Sequence, residues 1–161
     1  MFGHAGGLAG NSMIITDGVA VAGLVDGKRK FVAAKLTWRG DIDPDDPSRI
    51  TWRGVDAHSG GAKYRMAAIG DDARGRVIFA GGGDNPYNYD GIGYDGVPAK
   101  PSGGYFAYDL KTDKWIELGR LAEPSMDHRG LAQSGQDYYI MGGMDAEQNV
   151  VSRIVKFRIG D

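Results

Sequence analysis

The chain of 161 residues has no cysteine, which excludes disulfides, thiolate metal sites and a thiol nucleophile. It has no excess of basic residues. Lysine and arginine total 19 against 21 acidic residues, a net charge of −2, so no basic face is expected for nucleic acid. No apolar run approaches the ~18 residues of a membrane span. The N-terminus lacks the basic-then-apolar order of a signal peptide. No stretch shows convincing 3.6-residue periodicity, so no long helix is expected.

What the chain has in plenty is glycine, 27 of 161, more than twice the usual share of about 7%. The glycines follow no three-residue period and instead punctuate short apolar runs, as tight turns between many short strands would require. The clearest run is Arg76-Val77-Ile78-Phe79-Ala80, ending in Gly81-Gly82-Gly83. A continuous apolar run of this length, bounded by glycine, reads as a buried strand. The shape returns as Tyr138-Tyr139-Ile140-Met141-Gly142-Gly143, and in worn form as Met13-Ile14-Ile15-Thr16-Asp17-Gly18. The last glycines of the copies, Gly18, Gly82 and Gly143, lie 64 and 61 residues apart, which marks a repeat architecture.

Each copy extends into a unit. A small-residue strand precedes the apolar one, and further strands follow. In the middle unit these are 105–110 and 115–118, separated by the polar turn Lys111-Thr112-Asp113-Lys114. In the first unit 30–36 is expected as the third strand and 50–52 as the fourth, after a long acidic loop. The last unit has a third strand at 153–159 and no fourth. The expectation is an all-β chain of eleven strands in three antiparallel units. They are blade one at about 1–56, blade two at about 63–120, and blade three at about 127–161 without an outer strand.

The middle unit, through Arg65, Gly81-Gly82, Tyr108-Asp109 and Trp115, resembles the kelch repeat. Arg129 and Gly142-Gly143 repeat part of the pattern. The first unit departs from it, with His4 in place of arginine, Asp17-Gly18 for the glycine pair and no Tyr-Asp. The resemblance implies four-stranded blades of a β-propeller, a ring that typically has 4–8 blades. Three blades fall short of a ring, so the expected fold is an incomplete, C-terminal part of a larger propeller, completed by upstream blades or by a second copy. Within kelch propellers, the His4-Ala5-Gly6-Gly7 stretch and the loop after Gly83 resemble the N-acetylneuraminate epimerase, or sialic-acid mutarotase, group. The galactose oxidase-like group is a weaker match, since its copper chemistry uses a tyrosine crosslinked to cysteine.

That resemblance implies a sugar, sugar acid or glycan as partner, bound at the channel mouth by a carbohydrate mutarotase. The alternatives are a non-catalytic protein- or glycan-binding module and a truncated fragment without activity of its own. No nucleic acid, membrane or cofactor is expected. The group tends to be exported, although no signal lies in this chain. By counting back from the glycines, His4, Arg65 and Arg129 take one register at the start of inner strands, where arginine can hold a carboxylate in a bidentate pair. His128 titrates near neutrality, and with Asp127 it is the candidate proton-transfer pair. The loop Asp84-Asn85-Pro86-Tyr87-Asn88-Tyr89-Asp90 and onward to Gly96 is long enough to reach the channel mouth. Asn85, Tyr87, Asn88 and Tyr89 are its candidate sugar contacts. No metal ligand set is assigned: neither this loop nor 41–47 fits the spacing of a calcium-binding EF-hand. His58 is expected in a solvated turn, and Tyr108, Trp115 and Trp52 in blade packing.

Overall fold

The computed structural model describes residues 1–160. It contains thirteen strands and one 3-10 turn, arranged as three blade-like sheets and one separate hairpin. The first sheet runs β1 (Ala5–Ala9), β2 (Ser12–Thr16), β5 (Thr37–Ile42), β6 (Ile50–Val55). The second runs β7 (Ala67–Asp71), β8 (Arg76–Ala80), β9 (Ser102–Asp109), β10 (Lys114–Ser125). The third has β11 (Ala132–Ser134), β12 (Asp137–Met141) and β13 (Ile154–Arg158). All pairings are antiparallel. The remaining hairpin, β3 (Val19–Val25) with β4 (Lys28–Ala33), is inserted between the second and third strands of the first blade.

This insertion overturns part of the sequence reading. The segment 30–36 is largely the return arm of the hairpin, and the third strand of blade one is Thr37–Ile42, where an acidic loop was expected. The turn at Asp26-Gly27, both at positive φ (50° and 72°), closes the hairpin. Charge hid β5. Its Arg39 faces the next blade, donating through Nε to Asp41 at 2.9 Å and through Nη1 to Asp113 at 2.6 Å. An apolar pattern is therefore absent from a strand whose interface is ionic.

The blades pack through alternate faces of their strands. β8 is buried along its whole length. Its Val77 and Phe79 join Ala5, Ile14 and Tyr108 in the core between blades one and two, while Ile78 and Ala80 join Tyr138 and Ile140 between blades two and three. Trp115 and Tyr108 pack as expected, and the Trp115 indole donates to the Asp56 carbonyl at 2.7 Å. Gly70 marks a close approach of blades one and two. A Cβ there would collide with the Leu8 carbonyl of β1, so no larger residue fits.

A third cluster, Val19, Tyr64, Tyr87, Ala99, Met126 and Met144, lies under the connections that leave each second strand and those that enter each first strand. These connections share one end of the blades, because a four-strand meander returns there after its second and fourth strands. The segments entering each blade are also joined across blades. The Arg65 N–H donates to the Gly3 carbonyl at 2.9 Å, and the His128 N–H donates to the Arg65 carbonyl at 3.0 Å.

Candidate functional site

At that shared rim a small cavity of about 150 Å³ is lined by residues from all three blades, among them His4, Arg65, His128 and Arg129. The structure thus brings these four candidates together, but not in the register that counting gave. The equivalent bridges Phe2–Val19, Tyr64–Gly83 and Met126–Met144 align Gly3 with Arg65 and Asp127, and align His4 with Met66 and His128. The φ values agree, at 61°, 54° and 60° for Gly3, Arg65 and Asp127. Counting from the glycines failed because the connection between the first two strands differs among blades. It is Gly10-Asn11 in blade one, and it includes the 3-10 turn Asp72–Arg74 in blade two. In blade three, 129–131 precede a first strand of three residues.

Arg65 is a cation held on two sides. Its Nη1 donates to Asp127 Oδ1 at 2.8 Å and its Nη2 to the Asn88 carbonyl at 3.0 Å. The guanidinium carbon stands 4.8 Å from the centre of the Tyr64 ring and 5.3 Å from that of Tyr87. Asp127, placed beside His128 in the sequence, therefore turns its carboxylate to Arg65. Arg129 is the opposite case. Its side chain is 75% exposed, and its one ionic contact among the described residues is 3.6 Å to an Asp127 oxygen that Arg65 already holds. His4 is exposed at the cavity edge.

His128 is buried, and neither of its ring nitrogens has a hydrogen-bond partner among the described residues. Burial pushes its pKa below the usual histidine value, opposed in part by the Ser125 carbonyl and the Asp127 carboxylate. The neutral ring dominates at neutral pH. It fits between two glycines: a Cβ at Gly81 or Gly143 would come within 3.1 Å or 2.6 Å of it.

The loop after β8 is ordered by its own polar groups. Asn85 Nδ2 donates to Asp95 Oδ1 at 2.8 Å and to the Val97 carbonyl at 3.0 Å. Tyr87 is buried edge-on against Tyr64, with ring centres 5.2 Å apart. Asn88 presents its carbonyl to Arg65, and Tyr89 is 75% exposed. The loop also touches both neighbouring blades, through Tyr94 tilted against Phe31 of the inserted hairpin, ring centres 4.4 Å apart, and through Gln148 donating to the Ala99 carbonyl at 3.2 Å.

Two further positions differ from expectation. Trp52 is 42% exposed, lying over Gly40 on the outer face of blade one. His58 is buried, not solvated. Its Nε2 lies 2.7 Å from Asp17 Oδ2, its Nδ1 lies 2.6 Å from the Ser59 carbonyl, and its ring packs on Phe106 and Trp115. No sequence signal joined His58 to Asp17, because the pair is formed by partners 41 residues apart.

No known protein family and no curated protein matches the chain. Among solved structures, the chain is similar to YjhT, with a TM-score of 0.70 over 99% of this chain at 18% sequence identity. It spans 43% of the length of that chain. With the sheets described above, this likeness establishes the fold: three successive antiparallel blades of a β-propeller.

Proposed function

We propose that the rim cavity binds the carboxylate end of a sugar acid and that, in a complete ring, it catalyses mutarotation, the chemistry implied by the resemblance to the kelch-type sialic-acid mutarotase group. The observation that supports this reading is the contrast between two arginines. Arg65 is tied to Asp127 and to the Asn88 carbonyl, whereas Arg129 reaches the cavity exposed and, among the described residues, with one long, shared ionic contact. A free guanidinium beside a cavity is a receptor for a bidentate anion. At about 150 Å³ the cavity admits a carboxylate and the carbons next to it. The remainder of the sugar would lie over the rim, against Tyr89 and the backbone of Asn88.

Mutarotation opens and recloses a hemiketal. The anomeric hydroxyl loses a proton as the ring C–O bond breaks, the ring oxygen gains one, and reclosure on the opposite face reverses both transfers. His128, neutral and without a partner on either nitrogen among the described residues, would take the first proton and return it, while water at the open rim would give the ring oxygen its proton and take it back on reclosure. Asp127 would hold Arg65, and through it the loop at Asn88, in place. The experiment is NMR of N-acetylneuraminate with and without the chain. Saturable binding and faster exchange between its anomers are expected, with binding lost in Arg129→Ala and exchange reduced about 10²-fold in His128→Asn. Binding without acceleration would leave a non-catalytic binding module. Absence of saturable binding would overturn the proposal.

A further inference from the structure

A larger cleft of about 660 Å³ lies apart from the rim cavity and shares no lining residue with it. Its size falls in the ~300–1,000 Å³ range of small-molecule sites. One wall is the connection from β6 to β7, including His58, Ser59 and Lys63. The other is formed by the start of β9 and the middle of β10.

Three features give this cleft a built character. The first is the rigidity of its loop wall. His58 is held from both ring nitrogens, and the Ser59 hydroxyl donates to Glu117 Oε1 at 2.7 Å. The holding carboxylate, Asp17, is fully buried in the left-handed region (φ 59°), and its Oδ1 has no partner among the described residues. Local strain of this kind persists where the surroundings over-determine it, and it gathers at binding sites. The second feature is the far wall. The pairing of β10 with β9 slips between Glu117 and Gly119 and again between Arg120 and Ser125. Such irregularities re-aim side chains, and here they deliver Arg120 to the cleft. Gly119, at φ 156°, leaves the space taken by the Tyr105 hydroxyl. The third feature is charge. Most arginines of this chain sit within ion-pair distance of a carboxylate, as Arg39, Arg53, Arg65, Arg76 and Arg158 do. Arg120 and Lys63 line the cleft with no such partner among the described residues. The one carboxylate in the lining, Glu117, is engaged by Ser59.

We propose that this cleft is a second ligand site, for a small organic anion with a ring body. The carboxylate or phosphate would lie between Lys63 and Arg120, and the ring against Phe106, whose face of the sheet His58 also packs on. The site differs from the rim in supplying two cations, from separate segments of the chain, that no carboxylate holds among the described residues.

The test is amide NMR of the full chain during titration with benzoate, with phenyl phosphate and with uncharged phenol. Saturable shifts of Gly104, Phe106 and Gly119 are expected with at least one anion and not with phenol. Binding should weaken at least about tenfold in the Lys63→Ala/Arg120→Ala double variant, since each lost charged hydrogen bond is worth that order. Arg120 is exposed, so Arg120→Ala alone keeps the test valid if the double variant unfolds, with a loss of at least about threefold. No saturable shift at these amides with either anion would overturn the proposal. So would equal binding of phenol, or unchanged affinity in the arginine variant.

Discussion

Asp17 occupies a place that the other blades give to glycine. The bridges equate it with Gly81 and Gly142, which have φ of 70° and 68°. An aspartate there bears a backbone cost of ~1 kcal/mol, offset by its carboxylate, which accepts from the Lys63 N–H at 2.7 Å and faces His58. Removing a buried acceptor costs about 1–3 kcal/mol for each donor it leaves unpaired. Asp17→Gly should therefore destabilise the chain by about 2–4 kcal/mol in urea unfolding, although it restores the glycine of the repeat. Adding His58→Phe should recover at least about 1 kcal/mol by removing the stranded imidazole. A single variant as stable as the parent would show that the pair contributes nothing. The sequence displayed Asp17 as a departure from the repeat but gave no sign of its partner. A single mismatch shows where a blade differs. The compensating contact is set by how the linker at 56–63 folds back, which no local pattern encodes. The same limit applied to Arg65 and Asp127, read as two independent candidates and found as one ion pair.

Among the elements, β8 was the most legible, because a strand buried on both faces needs an unbroken apolar run and glycine at its exit. β2 and β12 bury one face each, with Ile14 at 0% exposure and Tyr138 and Ile140 likewise, while Met141 is 64% exposed. This difference makes a graded prediction. Ile78→Ala should cost about 2–5 kcal/mol, and Ile15→Ala, on the half-open face of β2, less than half as much. Equal losses in denaturant unfolding would mean that the outer face of blade one is covered. The hairpin β3–β4 was missed, although Asp26-Gly27 between apolar-rich arms is a hairpin signal. The competing pattern was the expected third strand, which its return arm imitates. β5 was unreadable for another reason: its inward side is bonded by charge, and a hydrophobic period does not register an ionic interface.

For the whole molecule, the outer face of blade one is the exposed counterpart of the faces buried between blades. Trp38 and Trp52, 43% and 42% exposed, lie on it with Leu8, Met13 and Ile15, opposite the side from which Arg39 and Arg53 reach blade two. Contiguous apolar surfaces of this type drive association. We propose that this face is covered in use by another blade, from additional propeller sequence or from a second copy. The purified chain should self-associate in light scattering at micromolar concentration, and Trp38→Glu/Trp52→Glu should return it to a monomer. A parent that stays monomeric would argue that the face tolerates water.

The Arg65 peptide joins all three blades, giving its N–H to Gly3 and its carbonyl to His128. Arrays of repeats can melt from an end one unit at a time. Here a blade that leaves must first break a bond at the hub, and the residue that breaks it also anchors the other neighbour. The Arg65 peptide therefore ties the three blades at one point, and its amide and that of His128 are expected among the slowest to exchange with deuterated solvent.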